Sequence, residues 1–265
     1  MKSRIRFLRS YVRYLLEAAR LKRLQMSGAP WILSRTACLG NDVFERLPLP
    51  YDRFNMQKGR ADYIVKASNE GSFACKPFYV YPYLNLEDIL TFLFQQKNIR
   101  FFKQRSKPRF IYMDSYSELT DQLFVHKTRG FGFCVNYSDL KVKEAGVWSE
   151  FQCLGLIPVA DLKRHYESLF SYLRKTYGDV PIIFIQFPTK LDDREKFKQR
   201  GEAILKVIRE IKHNYAPFYE FQAEEALIDF HKADNFPYHF NDRTYDDLAE
   251  KIIASGCLDK EGTKE

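Results

Sequence analysis

The chain has 265 residues, of which 45% are hydrophobic, 16% aromatic and 29% charged. This composition excludes intrinsic disorder, collagen-like repeats and long coiled coils, and the length suits one large or two small globular domains. The five cysteines form no C-x-x-C pair, which argues against structural zinc, and their odd number without a signal peptide indicates a reducing, cytoplasmic compartment. We expect no metal and no cofactor.

The net charge of +8 is concentrated in the first 25 residues, where eight basic side chains face a single acid, Glu17. The rest of the chain is close to neutral. Because a nucleic-acid-binding protein spreads Lys and Arg over a folded surface, we expect no nucleic-acid partner.

Residues 1–27 are predicted to form a basic amphipathic helical arm, which the sequence Ser-Gly-Ala-Pro at 27–30 ends. One face of this helix carries the apolar residues Ile5, Leu8, Val12, Leu15 and Ala19. Three interpretations are open. The helix docks on its own domain, residues 1–25 bind an anionic membrane at its inner face or an acidic partner, or the segment is a transit peptide.

Residues 28–258 are predicted to form a single α/β domain, followed by a flexible tail at 259–265. The domain starts with a strand at 31–36, a turn at 37–41 and a helix at 43–47 for which Asp42 is the N-cap. We interpret 48–83 as an irregular insertion with short strands at 63–65 and 78–81.

From residue 85 onward strands alternate with helices. The predicted helices are 85–97, 159–176, 193–213 and 243–255, and the predicted strands are 109–113, 181–187 and 217–221. Apolar strands that alternate with helices indicate a parallel sheet covered on both sides. We therefore expect a three-layer αβα sandwich with a mainly parallel, flavodoxin-like sheet.

Ligands of such a sheet bind beyond the carboxyl ends of its strands. Cys38 follows the first strand at the start of a helix, where a thiolate and an oxyanion both gain stabilisation from backbone N–H groups. The alternative is an inert, buried cysteine. His239 lies on a loop just before the last helix, a place from which a general base can reach the first strand, unless it only hydrogen-bonds to the backbone.

Three short motifs resemble the SGNH/GDSL hydrolase-like superfamily, and within it a bacterial group linked to surface polysaccharide loci. These motifs are 38–44 (CLGNDVF), 110–119 (FIYMDSYSEL) and 237–240 (PYHF) with Tyr245. The resemblance implies an acyl esterase or acyltransferase that acts on a carbohydrate. A glycosyltransferase-like protein and a catalytically inactive protein that binds a saccharide or a partner remain alternatives.

The resemblance also implies roles for individual residues. Ala37 stands where the family has its nucleophilic Ser, so the nucleophile would be Cys38, with His239 as the base. Phe236 stands where the family has the Asp that orients this His, which leaves Asp234 or Asp229 for that role. The oxyanion would be held at Gly40 and Asn41, and sugar hydroxyls would be bound by Asp42, Asp114, Ser115 and Glu118.

Overall fold

A computed structural model describes residues 2–85, 106–141, 145–190, 192–229 and 239–258. The described strands are β1 (Trp31–Arg35), β2 (Asp52–Asn55), β3 (Ile111–Asp114), β4 (Gln122–His126), β5 (Gly132–Val135), β6 (Phe151–Cys153), β7 (Ile182–Ile185) and β8 (Phe218–Phe221). The described α-helices are α1 (Lys2–Ser27), α2 (Cys38–Phe44), α3 (Ala61–Asn69), α4 (Pro77–Val80), α5 (Tyr116–Thr120), α6 (Ala145–Glu150), α7 (Leu162–Tyr177), α8 (Glu195–Ile211) and α9 (Asp242–Ala254).

The main sheet has five parallel strands in the order β2-β1-β3-β7-β8. All residues of β1, β3 and β7 are buried, because helices cover both faces. One helical layer contains α3, α7 and α8, whereas α2 and α9 pack against each other in the other layer. The predicted αβα sandwich is confirmed, and the four strands predicted at 31–36, 109–113, 181–187 and 217–221 all belong to its sheet.

The region 48–83 is more regular than the sequence analysis proposed. It contributes β2, the edge strand that pairs with β1, and both strands predicted at 63–65 and 78–81 are wrong, because helices α3 and α4 occupy these positions. In α3 the buried residues Tyr63, Ile64 and Ala67 share one helical face. The helix expected at 85–97 falls almost wholly outside the described residues, as does the tail at 259–265.

A second sheet was not predicted. Strands β5, β4 and β6 form an antiparallel sheet in that order, inserted between β3 and α7. Its core is aromatic, with the ring centroids of Phe124 and Phe133 5.3 Å apart and those of Phe133 and Phe151 5.2 Å apart. Helix α1 packs on this cluster through Phe7 and Tyr14, so the arm is in contact with the rest of the chain. None of the described helices combines the length and the apolar character needed to cross a bilayer.

Candidate active site

An open cleft of about 520 Å³ lies beyond the carboxyl end of β1, next to α2 and the start of α9. Its lining residues are Cys38, Asn41, Asp42, Glu45, Arg53, His239, Phe240, Asp242 and Tyr245. The sequence separates Cys38 from His239 by 200 residues, and the fold brings both to the same cleft. The cleft therefore contains the two side chains that the sequence analysis selected as nucleophile and base.

Helix α2 begins five residues earlier than predicted. Cys38 is its first residue and Ala37 its N-cap, so Asp42 lies inside the helix and is not a cap.

Helix α2 can lie close to β1 and β3 because Gly40 has no side chain. A Cβ atom at position 40 would lie 2.5 Å from Thr36 Cβ and 2.9 Å from Asp114 Oδ2, well inside van der Waals contact. The Gly40 carbonyl in turn accepts a hydrogen bond from the Tyr112 hydroxyl at 3.0 Å.

Asp114 joins the ends of β1 and β3. Its Oδ2 accepts a hydrogen bond from the Ala37 N–H at 2.7 Å, and its Oδ1 accepts one from the Tyr116 N–H at 3.1 Å. Burial raises the pKa of Asp114 to about 6, although the Ala37 N–H and Arg35 oppose the rise. The carboxyl group thus fixes the N-terminus of α2. With 1% of its surface exposed, Asp114 cannot contact a sugar, so the predicted role in substrate binding is wrong.

The oxyanion role expected of the backbone at position 41 is not supported, because the Asn41 N–H donates to the Ala37 carbonyl within the helix at 3.0 Å. The side chain of Asn41 is better placed. Its Oδ1 accepts hydrogen bonds from the Thr36 hydroxyl at 3.2 Å and from Asn55 Nδ2 at 3.1 Å. Within the described ranges Asn41 Nδ2 has no hydrogen-bond partner, so the amide presents a fixed donor to the cleft.

Cys38 is half-buried and its thiol is a weak acid. Burial raises the pKa of the Cys38 thiol, and the carboxylates of Asp42 and Asp114 raise it further. Burial and the two acids together outweigh the favourable interaction with Lys58, so the pKa of the thiol is raised in spite of its place at the start of α2. Any attack by this sulfur requires a base that removes its proton during the reaction.

The other side of the cleft is built by the start of α9 and the residues just before it. The N–H of Phe240 donates to the Tyr245 hydroxyl at 2.9 Å, which folds the His239 segment back over the helix. Burial raises the pKa of Tyr245, and a hydrogen bond with the Asp42 carboxylate adds to the rise. The Tyr245 hydroxyl consequently keeps its proton and links α9 to α2.

Asp229 and Asp234 were the two candidates for the acid that orients His239. Asp229 hydrogen-bonds instead with Asn241, the N-cap residue of α9, through its carboxylate at 3.1 Å and its carbonyl at 2.9 Å. Asp234 lies outside the described residues.

Ser115 and Glu118 are structural, contrary to the expectation that they bind sugar hydroxyls. Both are completely buried. The Ser115 hydroxyl accepts a hydrogen bond from the Phe187 N–H at 2.8 Å. The Glu118 carboxylate faces Arg35 at 2.5 Å and also accepts hydrogen bonds from the Ala61 N–H and the Tyr166 hydroxyl, each at 2.9 Å.

Three charged residues that line the cleft were not predicted: Glu45, Arg53 and Asp242. Arg53 lies on β2, with its guanidinium 4.3 Å above the centre of the Phe44 ring, and burial lowers its pKa. Its Nη1 is buried without a hydrogen-bond partner in the part of the chain that the structure describes. Glu45 follows the last residue of α2. Arg53 reaches the cleft because β2 pairs with β1. The sequence analysis missed Arg53 because it interpreted residues 48–83 as an irregular insertion and did not recognise this strand.

Among the described residues, no group of three or more His, Cys, Asp and Glu side chains is arranged to hold a metal ion. The recognisable chemistry of the cleft is that of a thiol, an imidazole, carboxylates and a guanidinium.

Comparisons with known proteins give structural matches alone. No family model and no curated sequence matches the chain. One similar solved structure is the salicylyl-acyltransferase SsfX3 from a tetracycline biosynthetic pathway, with 12% identity over 86% of this chain and a TM-score of 0.39. Another, from Bacteroides ovatus, is described as a GDSL-like lipase, with 11% identity over 87% of this chain and a TM-score of 0.42.

The chain spans 56% and 54% of the length of these two proteins. Because both TM-scores lie below 0.5, the case for function depends on the cleft itself.

Proposed function

We propose that the chain is an acyl hydrolase or acyltransferase that acts on a carbohydrate, with Cys38 as nucleophile and His239 as general base. The observation that carries the proposal is their common cleft, formed by the first helix after β1 and the segment before the last helix. Nucleophilic catalysis requires these two groups to meet at one open surface.

The reaction has two steps. His239 takes the proton of the Cys38 thiol while the sulfur attacks the acyl carbonyl, and the alcohol of the donor leaves with that proton as a thioester forms. Water or a sugar hydroxyl then attacks the thioester, loses its proton to His239, and releases the acid or the new ester together with the free thiol. The Asn41 Nδ2 group would donate a hydrogen bond to the oxyanion of both steps.

The carbohydrate part of the proposal has two supports. One is the resemblance of the motifs to proteins linked with polysaccharide loci. The other is the lining of the cleft, in which the Asp42 and Glu45 carboxylates are acceptors and the Asn41 amide is a donor. Such groups suit the hydroxyls of a sugar.

The test uses the full chain and two substrates, p-nitrophenyl acetate and a panel of acetylated glycans. Cys38→Ala and His239→Ala should each lower the release of acetate at least about 100-fold, the usual contribution of a general base. Matched controls are Cys153→Ala and His165→Ala, which also replace half-buried side chains but lie on β6 and α7. Mass spectrometry of the rapidly quenched reaction should find one acetyl group on the peptide that contains Cys38.

An active Cys38→Ala variant would refute the thioester, and loss of activity in the control variants would show that the substitutions act through the fold. Turnover of p-nitrophenyl acetate without turnover of any glycan would leave acyl chemistry standing and remove the carbohydrate substrate.

A second candidate is a catalytically inactive protein that binds a saccharide in the same cleft. It is favoured by Ala37 in the position of the family Ser and by the raised pKa of Cys38. In that case calorimetric titration would detect glycan binding that Cys38→Ala leaves unchanged, and no acyl-enzyme would form. Arg53→Gln should then weaken the binding of acidic glycans, because it removes a positive charge from the lining of the cleft.

A further inference from the structure

Helix α1 has two distinct apolar faces. One is docked on the second sheet, where Phe7 and Tyr14 are buried and the rings of Phe7 and Tyr81 lie 4.4 Å apart. Tyr11 and Ala18 pack at the margin of the same contact. These four positions, spaced by three and four residues, form one face of the helix.

The second face is an exposed apolar stripe. It consists of Ile5, Leu8, Val12, Leu15 and Leu16, which are between 44% and 68% exposed. At 100° per residue these side chains fall within about one third of the helix circumference. The sequence left open whether this stripe docks on the domain, and the structure answers that other residues dock while the stripe faces outward.

Basic residues border the stripe. Arg9, Arg13 and Arg20 project on its flank and are exposed, and Arg20 also forms an ion pair with Asp52 of β2. A contiguous exposed apolar surface marks an interaction site, and a basic rim identifies the sign of the partner. Two copies of the chain joined through the stripe would bring two strongly basic helices together, which Coulomb repulsion opposes.

We propose that α1 is an interfacial helix that holds the protein on an anionic lipid surface, with the apolar stripe in the headgroup region and the arginines on the lipid phosphates. The docked face keeps the helix on the second sheet while the stripe binds lipid. Both contacts are compatible because different residues make them. Amphipathic helices with this combination of an apolar stripe and Lys or Arg at its edge bind membranes in the plane of the interface.

The test is co-sedimentation of the full chain with phosphatidylcholine vesicles that contain or lack phosphatidylserine. We expect binding to the anionic vesicles alone, with a loss of binding as salt is raised. Arg9→Gln combined with Arg13→Gln should lower the partition constant about 30-fold, since each arginine near an anionic surface strengthens binding roughly five- to six-fold. Leu8→Ser combined with Leu15→Ser should abolish binding.

Matched controls replace equally exposed residues elsewhere. Leu154→Ser with Val159→Ser tests the loss of exposed apolar area, and Lys175→Gln with Lys206→Gln tests the loss of positive charge. Both control variants should bind as the wild type does, and thermal melts should show that all variants are folded.

The proposal fails if the wild type binds neutral and anionic vesicles equally or if the stripe variant still binds. It also fails if light scattering detects a dimer that the stripe variant dissociates while vesicles capture nothing, because the stripe is then an interface between copies. Since the readout is vesicle binding, the result does not depend on the proposed acyl chemistry.

Discussion

Gly40→Ala tests how rigidly α2 is held against the sheet. The added Cβ would meet Thr36 Cβ at 2.5 Å and Asp114 Oδ2 at 2.9 Å, distances at which one partner has to move. Neither neighbour is the free end of a flexible side chain. Thr36 hydrogen-bonds with Asn55, and Asp114 is held by the Ala37 and Tyr116 N–H groups. We therefore expect α2 to move away from the sheet.

The expected loss of stability follows from three contributions. Overpacking of a buried position costs about 1–3 kcal/mol, and the better helix propensity of Ala recovers about 1 kcal/mol. Displacement of α2 also weakens the 2.7 Å hydrogen bond between the Ala37 N–H and Asp114, a bond to a charged group worth about 1.5–3 kcal/mol. The free energy of unfolding should fall by about 2–4 kcal/mol.

Urea denaturation at pH 7 measures this difference, provided that the m-value of the variant matches that of the wild type. Gly71→Ala is the control, because no atom lies within 4 Å of a Cβ built there, and its stability should stay within about 0.5 kcal/mol of the wild type. Equal stability of the two variants would refute the conclusion that Gly40 is needed for the position of α2.

Three other expectations concern buried and half-buried charges. Glu118→Gln should cost about 3–5 kcal/mol in urea denaturation because it leaves the buried Arg35 charge without its partner. Glu210→Gln, which breaks an exposed ion pair with Lys163, should leave the urea midpoint almost unchanged, and equal shifts in the two variants would contradict the importance of the buried pair. Burial raises the pKa of Asp121 to about 7, above its value in the unfolded chain, so the folded state binds this proton more tightly and stability falls as the pH rises from about 4 to about 7. Asp121→Asn should remove this part of the slope in a pH series of urea midpoints, and parallel slopes would refute it. Peptide mass spectrometry can follow the labelling of Cys38 by iodoacetamide as a function of pH. Because the pKa of Cys38 is raised, the labelling rate should still be rising above about pH 8.5, the pKa of a free cysteine. A plateau below pH 7 would contradict the raised pKa.

Four of the five strands of the main sheet could be predicted from the sequence because they are short, mostly apolar runs next to helices of clear periodicity, whereas β2 (Asp52–Asn55) has no such pattern. The second sheet could not. Strand β6 has only three residues, and β4 begins and ends with the polar residues Gln122 and His126. Their pairing depends on contacts between segments separated along the chain, which hydrophobic periodicity does not report.

The candidate site shows the same division. The rule that ligands bind at the carboxyl ends of parallel strands was enough to predict that Cys38 and His239 share one cleft. The rule does not distinguish the cleft from the layer beneath it, so Glu118 was placed too near the surface. One signal was present, since Arg35 ends a strand that the pattern predicts to be buried, and a buried arginine requires an acid such as Glu118.

The two sides of the cleft are held by forces of different strength. On the nucleophile side, α2 is fixed by the contact of Gly40 with the sheet and by the buried Asp114 carboxyl group. On the side of the base, the first turn of α9 is joined to Arg46 by ion pairs with Asp242 and Asp246, whose side chains are 86% and 56% exposed. Exposed ion pairs contribute at most about 1 kcal/mol each, so they give the His239 side little rigidity. The His239 side is therefore held mainly by the buried Phe240 and Tyr245 side chains and by the hydrogen bond between the Phe240 N–H and the Tyr245 hydroxyl, and we expect the hydrogen bond between base and thiol to tighten when a substrate binds, as it does in other enzymes.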